Sequence, residues 1–304
     1  MKKIIITGAT GLIGQQLTIK LTDMGYKITI FTRNPDNAQK KLPNVHKVVK
    51  WEYDYVDEWL HELESVDAVI HLAGANLSTK RWNKGYKKLL YDSRIISTKK
   101  LIEAIKTVER KPKVFITASA IGYYGNRSDE ILTEESEAGK DFLANLCNDW
   151  EKEAKNVEQF GVRSVQIRTG LTLSRNEGAL KQMLPAFKYF IGGPLGNGKQ
   201  WYSWLHIEDI VNIYVKALES EILSGPINAV SPNPVTMKKF AKILGDVLHR
   251  PSFFSVPKII LLPVIGQVAE VVTSSQRVVP EKLLNSSFKF KFEKLEDALR
   301  DILK

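Results

Sequence analysis

Residues 3–14 read Lys3-Ile4-Ile5-Ile6-Thr7-Gly8-Ala9-Thr10-Gly11-Leu12-Ile13-Gly14. A short apolar run leads into three glycines spaced three apart, and helical spacing follows at Leu12, Ile13, Leu17 and Leu21. Thr7 and Gly8 end the apolar run too early for the core of a signal peptide, so it reads as a buried first strand. Each glycine meets a separate demand. Gly8 permits a tight turn, Gly11 lets the backbone approach a pyrophosphate, and Gly14 lets the helix pack closely on the strand. The helix N-terminus then offers unpaired N–H groups and a partial positive charge to phosphate. The stretch therefore predicts a dinucleotide loop in which Gly8, Thr10, Gly11, Leu12, Ile13 and Gly14 face the cofactor.

The next strand, Lys27 to Phe31, selects among dinucleotides. It continues as Thr32-Arg33-Asn34 and carries no acid where an NAD-binding chain places one for the ribose hydroxyls. A carboxylate there would repel a 2′-phosphate, whereas the Arg33 guanidinium can bind it in bidentate fashion and Thr32 can add a hydroxyl. The expected cofactor is NADP(H). Further on, His71-Leu72-Ala73-Gly74-Ala75-Asn76 closes another strand. Leu72, Ala73 and Gly74 are expected beside the cofactor ribose, and His71 is expected in the core.

Outward from this loop, strand and helix alternate. Strands are predicted at 3–7, 27–31, 47–49, 67–72, 114–117 and 164–168, with long helical patterns at 86–108 and 141–159. The alternation implies an α/β fold, a doubly wound parallel sheet of Rossmann type with helices on both faces. After Gly170 glycines punctuate a long loop, and helical segments follow at 207–220, 236–248 and 295–303, with short strands near 227–230 and 288–290. Residues 1–170 form the expected cofactor domain. Residues 171–304 form a mainly helical substrate lobe, partly interleaved with the sheet.

Composition narrows the function classes. The chain has 304 residues, 43% hydrophobic and 26% charged, as in an ordinary globular protein. A single cysteine, Cys147, rules out an intrachain disulfide, and the five histidines lack metal-ligand spacing, so no metal site is expected and a reducing cytoplasm is the expected compartment. No apolar run is long enough for a membrane span; residues 256–265, apolar but broken by two prolines and a lysine, read as a buried or interfacial helix. The net charge of +10 is spread along the chain with acids interleaved, which argues against nucleic acid and suits a phosphorylated cofactor and an anionic substrate. Expected partners are a small-molecule substrate and, as an assembly, a second copy in a homodimer.

GATGLIG at 8–14, HLAG at 71–74, SAIGYYG at 119–125, Arg168-Thr169-Gly170 and His206-Ile207-Glu208-Asp209 together resemble an extended short-chain dehydrogenase/reductase. ITASAIGYYG, IRTGLTLS, GGPLGNGKQWYSWLHIEDI and the tail from Gln276 more narrowly resemble the atypical epimerase-family proteins, grouped with sugar-nucleotide epimerases and dehydratases. The resemblance spans essentially the whole chain. It implies a reactive Ser or Thr followed by Tyr-x-x-x-Lys on the next helix, the lysine lowering the tyrosine pKa. Ser119 lies close to the serine position. On the helix, Phe142 or Leu143 takes the tyrosine place and Leu146 or Cys147 the lysine place, while Arg94 replaces the usual asparagine of the preceding helix. The scaffold is thus present without its usual proton relay. Tyr123 and Tyr124 are the candidate substitutes, Arg94 and Trp201 candidate substrate contacts, and Arg168 a candidate cofactor contact. Cys147, on an apolar helix face, reads as inert packing. The combined reading is NADP(H)-dependent redox or epimerisation chemistry on a small polar or anionic substrate. The alternative is an NADP(H)-binding sensor or partner-binding protein without turnover.

Overall fold

The computed structural model describes residues 2–304. Seven parallel strands form the central sheet: β1 (Lys3–Thr7), β2 (Lys27–Thr32), β3 (Lys47–Lys50), β4 (Ala68–His71), β5 (Val114–Ala120), β6 (Arg163–Thr169) and β7 (Gly225–Ala229), in the order β7-β6-β5-β4-β1-β2-β3. The order reverses between β1 and β4, and in such sheets the crevice beyond the carboxyl ends of the strands at that point receives ligands.

Strand β1 shows why the helices lie on both faces. Ile4 and Ile6 point to one side and Ile5 to the other, all fully buried. Ile4 and Ile6 join Leu17 and Leu21 of helix α1 (Leu12–Asp23), together with Ile210 and Tyr214 of the Ile207–Glu219 helix. Ile5 joins Phe31, Val69 and Phe115 and the buried side of helix α2 (Lys84–Thr107), with Ala154 of helix α3 (Phe142–Lys155).

Residues 207–229 return to the sheet: the Ile207–Glu219 helix covers it, and β7 pairs along β6. The remaining lobe has a separate core around Trp204, Phe187, Phe240 and Leu299. The expected strand at 288–290 does not form. Just beyond it, the backbone amides of Lys291 and Phe292 donate to the two carboxylate oxygens of Asp209, at 2.7 and 3.0 Å. This side-chain clamp replaces ladder pairing at the tail. Residues 258–265 form the expected helix, with Ile259 and Ile260 exposed to solvent rather than buried.

Candidate functional site

The glycine loop is shaped as the residue types require. Gly8 has φ +69°, and a Cβ on it would lie 2.7 Å from the backbone of Leu72 and Ala73. A Cβ on Gly14 would stand 2.3 Å from the Gly8 carbonyl oxygen, so its absence permits the tight packing of α1 on the loop. Gly11 differs: its absent Cβ would meet only the Gly8 oxygen, at 3.4 Å, and the residue is exposed. Nothing in the protein itself demands glycine there, because its open side is solvent-exposed. Gly11 caps α1 without a side-chain partner, and the first turn carries no acid that would oppose a phosphate.

A hydrogen-bonded bridge ties the loop to the end of β4. Leu72 and Ala73 each donate a backbone N–H to the Thr7 hydroxyl oxygen at 3.2 Å. The Thr7 hydroxyl donates in turn to His71 Nδ1 at 2.7 Å, and His71 Nε2 donates to Ser97, 3.1 Å away. This assignment satisfies every group, because the Ser97 hydroxyl has its own acceptor in the Ser93 carbonyl. Burial, aided by the charge of Arg94, pushes the imidazole down to about 3, so His71 is a neutral core strut. Beyond β2, Thr32 accepts from the Asn34 amide, while the exposed Arg33 makes no ion pair among the described residues. Its guanidinium is free to meet a phosphate. Arg33→Ala is expected to weaken NADPH binding by about 1.5–3 kcal/mol, the range for hydrogen bonds to charged groups, and to leave NADH binding unchanged. Titrations of both cofactors check this; equal losses would remove Arg33 from the 2′-phosphate.

At the carboxyl ends of β5, β6 and β7 the register places Ser119, Arg168 and Asn228 in one row. Ser119 is buried, and its hydroxyl donates to Glu151 Oε1 at 2.6 Å. Arg168 grips the same carboxylate in bidentate fashion, Nε to Oε1 at 2.9 Å and Nη2 to Oε2 at 2.8 Å. Its Nη1 donates to the Tyr124 hydroxyl and the Glu134 carbonyl. Arg168 was expected at the cofactor; instead it is 2% exposed and bound into this interior network. Tyr124 was expected near the reacting oxygen, yet it is fully buried, and its hydroxyl meets Arg168, Asn228 and the Thr133 carbonyl. Burial pushes its pKa up, against the pull of Arg168. Tyr123, half-buried, stacks under the Arg168 guanidinium, 3.5 Å from ring centre to Cζ, and its hydroxyl has no protein partner among the described residues.

Helix α3 resolves the two registers left open by the sequence. Leu143 and Cys147 face Gly122 at the end of β5, whereas Phe142 stacks edge-on with Trp82 and Leu146 packs with Tyr86 and Leu90. Of the two registers, the Leu143–Cys147 pair is the one that faces the turn after β5. Burial first, then the charge of Glu151, pushes the thiol up to about 12, so it stays protonated. Cys147→Ser is expected to leave NADPH affinity and any turnover within roughly twofold, as for a packing residue. A turnover loss above tenfold would make the thiol part of the chemistry.

Arg94 reaches the opposite wall. It donates to the Leu90 and Ala75 carbonyls, both at 3.0 Å, lies over the Trp150 ring and packs against Gly74. It has no carboxylate partner within ion-pair distance among the described residues, which leaves N–H donors for an anion. Trp201 stands farther out, its indole N–H on Asp129 and its ring under Arg277. Beside it opens a cavity of about 580 Å³ lined by Asn126, Asp129, Asn197, Lys199, Gln200 and Lys258, among others.

Asn228, Glu151 and Thr7 are residues of this site that escaped the sequence reading. Glu151 lies one helical turn beyond Cys147, so extending the face of the missing Tyr-x-x-x-Lys by four residues would have found it. Thr7 carried no signal of its own as the last residue of an apolar strand.

With the geometry in place, comparison with known proteins is informative. Residues 4–229 match the NAD dependent epimerase/dehydratase family, and residues 256–302 match a domain of unknown function, DUF1731. The chain belongs to the NAD dependent epimerase/dehydratase family. It is 38% identical over 302 residues to the chloroplastic epimerase family protein SDR39U1 homolog of Arabidopsis thaliana, covering 98% of this chain and 86% of that one. It is 36% identical over 308 residues to epimerase family protein YfhF of Bacillus subtilis, covering 99% and 97% of the two chains. The crystal structure of human epimerase family protein SDR39U1 with NADPH superimposes with a TM-score of 0.89 at 31% identity, covering 99% and 98% of the two chains.

Proposed function

We propose that this protein is an NADP(H)-dependent oxidoreductase or epimerase-like enzyme acting on a small polar or anionic molecule. The carrying observation is the crevice at the strand-order reversal: a glycine loop locked against Leu72 and Ala73, with an unpaired Arg33 beyond β2. The human relative crystallised with NADPH supports the same cofactor. The fit rests on the open side of Gly11 and on the uncapped first turn of α1. Gly8, Thr10, Gly11, Leu12, Ile13 and Gly14 would hold the pyrophosphate, Thr32 and Arg33 the 2′-phosphate, and Leu72, Ala73 and Gly74 the ribose. When bound, the cofactor supplies or accepts a hydride.

The protein's own groups divide the remaining work. Arg94 binds an anionic substituent of the substrate through its remaining N–H donors. Ser119 has its proton directed at Glu151, so toward a substrate it acts as a hydrogen-bond acceptor that orients a hydroxyl. Tyr123, with an uncommitted hydroxyl, carries the proton. We place this activity in the reducing cytoplasm. Tyr123→Phe is expected to lower turnover more than tenfold, over about 1.4 kcal/mol of barrier, with NADPH affinity unchanged. NADPH oxidation against a panel of carbonyl compounds, alongside cofactor titration, is the measurement. A fully active variant would remove Tyr123 from proton transfer.

A second reading rests on the missing Tyr-x-x-x-Lys: helix α3 turns Leu143 and Cys147 toward the turn after β5 and carries no tyrosine or lysine at either position. In it the chain binds NADP(H) without turnover and works as a sensor. It is favoured if NADPH binds tightly and no compound in the panel is reduced.

A further inference from the structure

Two chain segments outside the cofactor crevice carry large apolar side chains into solvent. Tyr189, Phe190 and Ile191, which end the Gly178–Lys188 helix, are 77%, 54% and 58% exposed. Phe253 is 74% exposed, and Ile259 and Ile260, at the start of the Lys258–Ile265 helix, are 77% and 54% exposed. The segments are zipped together. Phe254 N–H donates to the Gly192 carbonyl, Val256 N–H to that of Pro194, and Gly196 N–H to that of Val256. The Arg250 guanidinium lies over the Phe190 ring at 4.5 Å. The pairing thus holds the two exposed apolar segments side by side, and Arg250 of one reaches an aromatic ring of the other.

Charge distinguishes among the occupants such a surface could take. Residues 178–200 and 249–273 contain five cations, Lys181, Lys188, Lys199, Arg250 and Lys258, against one acid, Glu270. A second copy would bring like charges together, which disfavours self-association through this face. Aromatic and aliphatic side chains rimmed by lysine and arginine match the chemistry of an anionic bilayer surface: apolar groups enter the acyl boundary while the cations meet the headgroups. No described helix is long and apolar enough to cross a membrane, so the contact is peripheral.

We propose that this face docks the protein on an anionic lipid bilayer, independently of the reading of the cofactor crevice. The full chain is sedimented with vesicles of phosphatidylcholine alone or mixed with phosphatidylglycerol. Two variants accompany it, Phe253→Ser/Ile259→Ser/Ile260→Ser and Lys188→Glu/Arg250→Glu. All five positions are exposed, and unchanged melting midpoints and NADPH affinity confirm that the variants fold. The parent is expected to pellet with the mixed vesicles and remain free of the neutral ones. Each variant is expected to lose roughly tenfold or more in vesicle affinity, and added salt to weaken the parent. The proposal is overturned if the parent pellets with neither vesicle, if it binds both equally, or if the variants bind like the parent. It is also overturned if, without lipid, the parent is a dimer that the serine variant converts to a monomer, since a second copy would then cover the face.

Discussion

Gly14→Ala is expected to disturb both the fold and the cofactor site, whereas Gly11→Val is expected to disturb the cofactor site alone. The difference lies in what the added carbon would meet. At Gly14 it would stand 2.3 Å from the Gly8 carbonyl oxygen and 2.8 Å from the Ala9 Cα, both backbone atoms that cannot rotate aside. Helix α1 must then move off the loop, carrying its first-turn amides with it. Overpacking of this kind costs about 1–3 kcal/mol. The shift should also weaken NADPH by roughly a hundredfold, which corresponds to about 2.7 kcal/mol. At Gly11 the Cβ would meet only one protein atom, at 3.4 Å, so the valine side chain projects into the crevice. Stability should stay within about 1 kcal/mol of the parent, as for surface substitutions, while NADPH binding is lost. Denaturant melts and NADPH titrations of both variants give four numbers. Undiminished NADPH binding by Gly11→Val would place the cofactor elsewhere.

The same contrast indicates what a sequence can convey about this protein. Gly8, Gly11 and Gly14 were legible because backbone demands leave a compositional trace at fixed spacing. The seven-stranded sheet was largely legible for a related reason: β1, β2, β4 and β5 are largely buried and carry short apolar runs, while β6 shows only Val165 and Ile167 alternating with buried polar residues. The expectation of a phosphorylated cofactor came from an absence, since Thr32-Arg33-Asn34 at the end of β2 holds no acid. What stayed hidden depends on side chains meeting across the sheet. Arg168 and Tyr124 sit in motifs next to the crevice, yet their side chains turn inward to Glu151, Thr133 and Asn228. A motif fixes where a residue lies along the chain; the partners brought in by α3 and β7 decide which way it points. Asp209 is similar. It sits in the His206-Ile207-Glu208-Asp209 motif, and its carboxylate clamps the amides of Lys291 and Phe292, more than 80 residues away.

The buried ion pair gives the largest expected loss of stability. The side chains of Glu151 and Arg168 are 11% and 3% exposed, and two parallel hydrogen bonds join them at 2.8 and 2.9 Å. Replacing Glu151 by alanine would leave the guanidinium buried with only the Tyr124 hydroxyl and the Glu134 carbonyl as partners. Removing one member of a buried pair typically costs about 3–5 kcal/mol, because the remaining charge is neither solvated nor paired. Ser119 would lose its acceptor as well and could turn its proton toward the crevice. The expected result for Glu151→Ala is therefore a lower denaturation midpoint by that amount. The double variant Glu151→Ala/Arg168→Met removes both charges and should recover part of the loss, since replacing a whole buried pair with apolar groups is often close to neutral. Equilibrium unfolding of the parent, both single variants and the double variant measures the coupling directly. If the two single losses simply add in the double variant, Glu151 and Arg168 do not stabilise each other. The network across β5, β6 and β7 would then owe its stability to its other hydrogen bonds and to packing.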